Sequence, residues 1–230
     1  MSRTQAAEAI EAKRVLVNGT LADKSSRQVD PADAITIQGP PARFVSRGGE
    51  KLDAALEAFG IDVAGMRVLD AGASTGGFTD CLLQRGAATV VALDVGHGQL
   101  HPRIRDDTRV VVLERYNVRE VSPKDLGGVV EAVVADLSFI SLRRVIGPLV
   151  AVCTPGAPLV LLVKPQFEAG RQEVSKGRGV ITDPEIHDRV VAEIDAAMRD
   201  AGCTVRGWID SPLTGAEGNR EFLVHATAPA

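Results

Sequence analysis

The stretch Asp70-Ala71-Gly72-Ala73-Ser74-Thr75-Gly76-Gly77-Phe78-Thr79 is the first part of this chain with residues arranged for chemistry. An apolar run leads into it and a helical stretch leaves it. That places a glycine-rich turn at the carboxyl end of a sheet, where α/β folds bind ligands. Glycine lets a cofactor lie close against the backbone. The spacing departs from G-x-G-x-x-G, because Ser74 stands where the second glycine would be. A second apolar run, TVVALDV, ends in Asp94, 94 − 72 = 22 positions beyond Gly72. An acid there can accept hydrogen bonds from a ribose diol. Turn and acid together point to an adenosine-containing cofactor. Two further apolar runs end in charge: Asp136 follows EAVVA, and Lys164 follows LVLLV. One charge at a strand end is usually just solvated; two beside a cofactor turn point to catalysis. At the end of an apolar strand Lys164 is half-buried, which disfavours its ammonium form. A lysine tuned toward neutrality takes a proton from a hydroxyl, the work of a general base.

Rival chemistries are weaker. Gly72-x-Ser74-x-Gly76 also fits a hydrolase nucleophile elbow, which requires an acid and then a histidine later in the chain. His97, His101, His187 and His225 are the candidates, and His225 sits within a strand-like stretch with no loop to present it. His97 and His101 have an i, i+4 spacing, but no third metal ligand stands nearby, so no metal site is expected. Trp208 reads as a packing residue.

The elements that must position these residues follow from the hydrophobic pattern. From Met66 onward, RVLDAGA, TVVALDV, RVVVLER, EAVVADLS and PLVLLVKP are continuous apolar runs. Such runs suit strands covered on both faces, as in a parallel sheet wrapped by helices. Helices are expected near 77–86, 141–153 and 184–201, and two more strands near 204–209 and 221–227. The pattern is a doubly wound α/β domain. Ahead of it, residues 2–13 suit a short helix, RVLVNGT a strand entering an Asn18-Gly19 turn, and residues 34–37 another strand. Gly39-Pro40-Pro41 reads as a linker, so the expected division is 1–41 and 42–230.

The ordered series SRGGEKLDAAL, LDAGASTGGFTD, ALDVGHGQL, ADLSFISL, LVKPQFE and GNREFLV resembles the haemolysin-like TlyA family, within the FtsJ-like ribosomal RNA 2′-O-methyltransferases. The resemblance covers essentially the whole chain. It implies a class I, Rossmann-like methyltransferase fold with a seven-stranded sheet and S-adenosylmethionine as cofactor. It also implies a Lys-Asp-Lys-Glu catalytic set, matched here by Lys51, Asp136, Lys164 and Glu221. The cofactor positions it implies are Asp70, Gly72, Ser74, Gly76, Gly77, Phe78, Asp94 at the ribose, Asn117 at the adenine, and Asp136. The N-terminal stretch resembles the small S4-like α-L RNA-binding motif, which usually begins with a further helix ahead of the SRTQ-like segment. Arg3, Lys13 and Arg14 of that stretch are candidates for RNA phosphate contacts. A second grip is expected from a long loop, residues 165–183, through Arg171, Lys176 and Arg178.

Composition narrows the class. With 45% apolar and 24% charged residues, the chain has the balance of a soluble globular protein. Its 3% aromatic content leaves the core to aliphatic side chains. Cys81, Cys153 and Cys203 are scattered with no CxxC pair, which argues against a disulfide framework and fits a reducing cytosol. The opening residues have no secretory apolar region, and no apolar run is long enough to span a bilayer. A cytoplasmic protein is expected, with ribosomal RNA or ribosomal subunits as partner and no membrane partner. The net charge of −4 runs against a strongly basic RNA binder, though phosphate contact depends on where the cations sit. Two alternatives stay open: an RNA-binding or ribosome-associated protein without catalysis, and a membrane-active haemolysin.

Overall fold

The computed structural model describes residues 3–11, 13–39, 42–177 and 179–230, without the side chains of residues 3–5, 8, 171 and 176. Contacts divide the chain into two units, Met1–Arg43 and Phe44–Ala230. In the first, helix α1 (Arg3–Glu11) precedes strands β1 (Val15–Val17), β2 (Thr20–Leu21) and β3 (Ile35–Ile37). They pair antiparallel in the order β2-β1-β3. Asn18 and Gly19 both hold positive φ, 51° and 77°, the conformation a two-residue hairpin turn requires. The Asn18 side chain braces this turn, donating to Asp33 and accepting from the Ala34 N–H. Val15, Val17 and Ala22 form a small core against Ala9 and Ile10 of α1.

The second unit opens with α2 (Gly48–Phe59), β4 (Arg67–Ala71), α3 (Gly77–Gln84), β5 (Thr89–Asp94), α4 (Pro102–Arg105) and β6 (Val110–Glu114). It continues with α5 (Pro123–Leu126), β7 (Ala132–Ala135), α6 (Ile146–Ala151), β8 (Pro158–Val163), α7 (Pro165–Glu168) and α8 (Arg171–Lys176). It closes with α9 (Pro184–Asp200), β9 (Thr204–Asp210) and β10 (Phe222–Thr227). Among the described residues the strands form one seven-stranded sheet, ordered β6-β5-β4-β7-β8-β10-β9. β4 to β8 pair in parallel, and β10 runs antiparallel to both β8 and β9.

The alternation of side chains along each strand sorts the core into two layers. Leu69, Ala71, Val91, Leu93, Val133, Ala135, Leu161 and Val163 face the layer completed by α5, α6 and α9. Val68, Val90, Ala92, Val134, Val160, Leu162 and Leu223 face the layer built by α2, α3 and α4. Each such buried aliphatic side chain contributes about 1.5–3 kcal/mol, so the strand ends project from a firm floor.

The structure adds one helix to the expected elements and corrects two of them. The double glycine at Gly48-Gly49 hid α2, which buries Leu52, Ala55 and Leu56 on one stripe and stops at Gly60, φ 64°. Gly49 is required there because a Cβ would run into the Phe44 ring. The single helix expected over 141–153 is a 3-10 turn, Leu142–Arg144, followed by α6. The segment 165–183, expected as a loop, folds into α7 and α8, with the Glu173 carboxylate accepting the Gly170 N–H. Among the described residues, no helix is long and apolar enough to cross a membrane.

Candidate active site

The strand alternation that sorts the core also aims the acids. Asp70 on β4 and Asp94 on β5 fall in step with Val68 and Ala92, on the α2–α3 side of the sheet. Asp136 and Lys164, just beyond β7 and β8, continue Val134 and Leu162 on that same side. Phe222 pairs with Val163, so extending the antiparallel register by one residue sets Glu221 opposite Lys164. Asp136, Lys164 and Glu221 therefore meet on three adjacent strands at one edge of the sheet. Lys51 reaches that edge from α2.

These four side chains form two ion pairs. Lys164 Nζ lies 2.5 Å from Asp136 Oδ1 and donates to Ser138 Oγ at 2.9 Å. Lys51 Nζ donates to Glu221 Oε2 at 2.5 Å, and both residues are buried, at 7% and 3% exposure. Such charges are kept out of water only because each has its counter-ion; desolvating either alone costs several kcal/mol.

The glycine-rich turn sits beside the first pair. Gly72 and Ala73 both donate to the Leu93 carbonyl, tying the turn to the end of β5. A Cβ on Gly72, at φ 89°, would come within 2.5 Å of the Asp136 carbonyl oxygen, so only glycine fits between the turn and β7. The Asp94 carboxylate accepts the Ser74 N–H at 2.8 Å and the Gly96 N–H at 2.7 Å. These two bonds fix it at the strand tip with lone pairs still available to a diol. Beneath the turn, Asp70 is fully buried and receives the Thr79 hydroxyl at 2.6 Å. Burial above all, reinforced by Asp136 and Asp94, pushes its carboxyl up to about 7 against the Thr79 bond.

A cavity of about 1850 Å³ opens over the ends of β4, β5 and β7, with Asp136 but not Lys51, Lys164 or Glu221 on its wall, larger than a typical single-ligand pocket of roughly 300–1,000 Å³. Gly72, Ser74, Asp94, Asn117 and Asp136 line it. The Asn117 side-chain oxygen also caps the turn that follows, accepting the Arg119 N–H. Asp70, Gly76, Gly77 and Phe78 are not on its wall; Phe78 packs into the core under α3, and Gly77 admits no Cβ because Ser46 lies against it. A glycine cradle, a pre-aimed carboxylate and a cavity of ample size fit an adenosine-type cofactor. The residue pattern alone did not single out Ser138, Phe139, Phe167 or Glu168 on the wall. Phe139 has φ 64° and is 91% exposed, with its ring 5.1 Å from that of Phe167. A bulky residue in that conformation carries strain, which no sequence pattern reports.

Other candidates resolve more simply. Ser74 Oγ lies 3.4 Å from Gln99 Oε1. His97 pairs with Glu114, and His101 caps α4. Among the described residues no cluster of three or more His, Cys, Asp or Glu suited to a metal occurs. In the first unit Lys13 is exposed, while Arg14 donates to the Gln38 carbonyl at 2.7 Å. The side chains of Arg3, Arg171 and Lys176, and all of Arg178, lie outside the described residues.

Comparison with known proteins agrees with this geometry. The FtsJ-like methyltransferase family model matches residues 44–228, and the S4 domain model matches residues 2–35. The chain is 50% identical over 224 residues to the 16S/23S rRNA (cytidine-2′-O)-methyltransferase TlyA of Mycobacterium tuberculosis (strain ATCC 25618 / H37Rv), covering 97% of this chain and 83% of that protein. It is 40% identical to Hemolysin A of Brachyspira hyodysenteriae, over 97% of this chain and 93% of that one. A solved structure carrying a hemolysin description, from Streptococcus thermophilus, superposes with a TM-score of 0.84 at 41% identity, over 99% of this chain and 83% of that one. An S-adenosylmethionine dependent methyltransferase from Mesorhizobium loti shares the fold at a TM-score of 0.56 and 18% identity, over 76% of this chain and 96% of that one. The family match spans well over half of the 230 residues, and the chain belongs to the FtsJ-like methyltransferase family, with S-adenosylmethionine as its methyl donor.

Proposed function

We propose that this chain methylates a ribose 2′-hydroxyl of ribosomal RNA. The observation that carries the reading is the pair of lysine–carboxylate contacts at one sheet edge, next to a glycine turn and a diol-accepting acid. Methyl transfer to a hydroxyl needs alignment and a place for one proton, and these residues offer both. The relative from Mycobacterium tuberculosis supports the substrate by its name, and the S4 match supports RNA as the partner. A cytoplasmic location is the reading this activity favours.

Asp94 would accept the cofactor ribose hydroxyls, Gly72 and Ser74 would bring the backbone against it, and Asn117 would border the adenine. S-adenosylmethionine, when bound, supplies a methyl carbon already activated by its sulfonium. Lys164 Nζ, having first given its own proton to solvent, would take up the proton that the 2′-hydroxyl loses on methylation. The Asp136 carboxylate, in contact with that nitrogen, stabilises the ammonium that results. Glu221 would position Lys51 beside the reacting ribose or its phosphate through their direct contact. Arg3, Lys13 and Arg14 of the first unit, with Arg171, Lys176 and Arg178 of the second, supply phosphate contacts. Lys164→Ala tests the assignment: kcat falls on the order of 10²–10⁴-fold, the range of general-base catalysis, while cofactor affinity is kept. Near-normal methyl transfer by that variant would refute it.

A further inference from the structure

Behind the Lys164–Asp136 pair, one buried acid ties together the two segments that leave β7 and β8. Glu168 ends α7 at 6% exposure, and the proposed chemistry gives it no part. Its Oε2 accepts the Ser141 hydroxyl at 2.5 Å, and its Oε1 accepts the Leu142 N–H at 2.7 Å. Its own carbonyl accepts from Arg143 Nη2 at 3.0 Å, and Arg143 Nη1 runs on to Glu193 of α9 at 2.7 Å. Burial pushes the Glu168 carboxyl above its usual range, against the bonds from Ser141 and Leu142 and the charge of Arg143. An acid kept out of water at such cost must be held by what it binds.

What it binds closes a ring. At one end of the ring Lys164 meets Asp136 and Ser138. At the other end Glu168 meets Ser141 and Leu142. Between them Phe139, in its left-handed conformation, leans on Phe167. A strained residue of this kind persists only where its surroundings over-determine it. Without the Glu168 contacts, the segment from Leu137 to Ile140 is free to relax away from Lys164.

We propose that Glu168 is a positioning residue for methyl transfer: its carboxylate clamps segment 137–142 to segment 165–168 and so keeps Lys164 against Asp136 and Ser138. The inference rests on Lys164 being the proton acceptor. It assigns Glu168 no contact with substrate or cofactor.

The test compares Glu168→Ala, Glu168→Gln and Ser141→Ala in the full chain, with three readouts. S-adenosylmethionine affinity and stoichiometry by calorimetry stay near the wild-type value, because Gly72 and Asp94, which make the turn and the diol contact, lie outside the ring and only Asp136 is shared. For Glu168→Ala, kcat per bound cofactor falls on the order of 10²-fold, as a displacement of about 1 Å at a reacting group does. Hydrogen exchange across 137–142 rises in that variant, while exchange in β4 and β5 does not. Glu168→Gln recovers most of the loss, since its amide oxygen still accepts the Leu142 N–H and its amide nitrogen can donate to Ser141. Ser141→Ala shows a smaller form of the same defect and keeps the question decidable should Glu168→Ala not fold. Unchanged kcat per bound cofactor would overturn the proposal. So would a glutamine variant no better than alanine, or an activity loss matched by lost cofactor binding. If the wild-type chain methylates no RNA, the functional reading fails instead, and exchange at 137–142 still decides whether the clamp exists.

Discussion

Replacing Asp70 with asparagine removes one buried ionisable group from under the cofactor turn and leaves its shape intact. The Asp70 carboxyl has no exposed surface; Oδ2 receives the Thr79 hydroxyl, and Oδ1 finds no hydrogen-bond partner among the described residues. Burial, then the nearby Asp136 and Asp94, raise it from an ordinary 3.8 to about 7. The unfolded chain gives up this proton near the ordinary value, whereas the folded chain keeps it until about neutrality. Between those limits the folded state binds more protons, so stability falls as pH rises. The contribution is full below the unfolded value and is lost as pH climbs through the folded one. At about 1.4 kcal/mol per pH unit the whole window spans roughly 4 kcal/mol, of which roughly 2–3 kcal/mol falls between about pH 5 and about pH 8. Asparagine does not titrate. It pays instead a pH-independent penalty of about 1–3 kcal/mol for setting an amide N–H where Oδ1 has no partner. Urea unfolding followed by Trp208, the only tryptophan and part of β9, reads the second unit directly. Between the two pH values the difference in stability moves by that 2–3 kcal/mol in favour of Asp70→Asn. Parallel pH profiles for the two proteins would refute the reasoning.

Two other perturbations separate cofactor binding from architecture. Asp94→Ala removes the carboxylate that the Ser74 and Gly96 N–H groups aim; losing a charged hydrogen bond of about 1.5–3 kcal/mol weakens S-adenosylmethionine binding roughly 10–100-fold by calorimetry, and an unchanged Kd would exclude the diol role. Lys51→Met leaves Glu221 buried without its cation and costs about 3–5 kcal/mol in urea unfolding. Adding Glu221→Leu to it restores stability but not methyl transfer; restored activity would show the pair to be structural only.

Much of the sheet was legible because its strands are continuous apolar runs: TVVALDV and PLVLLVKP became β5 and β8 almost as written. Asp94, Asp136 and Lys164 stood out for the same reason, as charges ending apolar runs. α2 was hidden because its first turn is Gly48-Gly49, a poor helix start that here admits the Phe44 ring. Its stop signal, Gly60, was present and could have revealed it. Lys51 and Glu221 could be named only through family resemblance. One sits mid-helix and the other follows a loop, and only the β10 register brings Glu221 opposite Lys164. Asp70, expected beside the cofactor, lies beneath the turn, since strand alternation points it into the layer under α3. Glu168 carries no local signal at all. Its partners lie 26 and 27 residues away and meet it only through the parallel pairing of β7 and β8.

The central claim is methyl transfer to a ribose of ribosomal RNA by the Lys164 edge of the sheet. Its most direct test supplies the purified full chain with methyl-labelled S-adenosylmethionine and separated ribosomal subunits, then maps the label on the RNA. Label is expected on a ribose 2′-oxygen with the wild-type chain, and none above background with Lys164→Ala. Label on a base, or undiminished ribose label with Lys164→Ala, would contradict it.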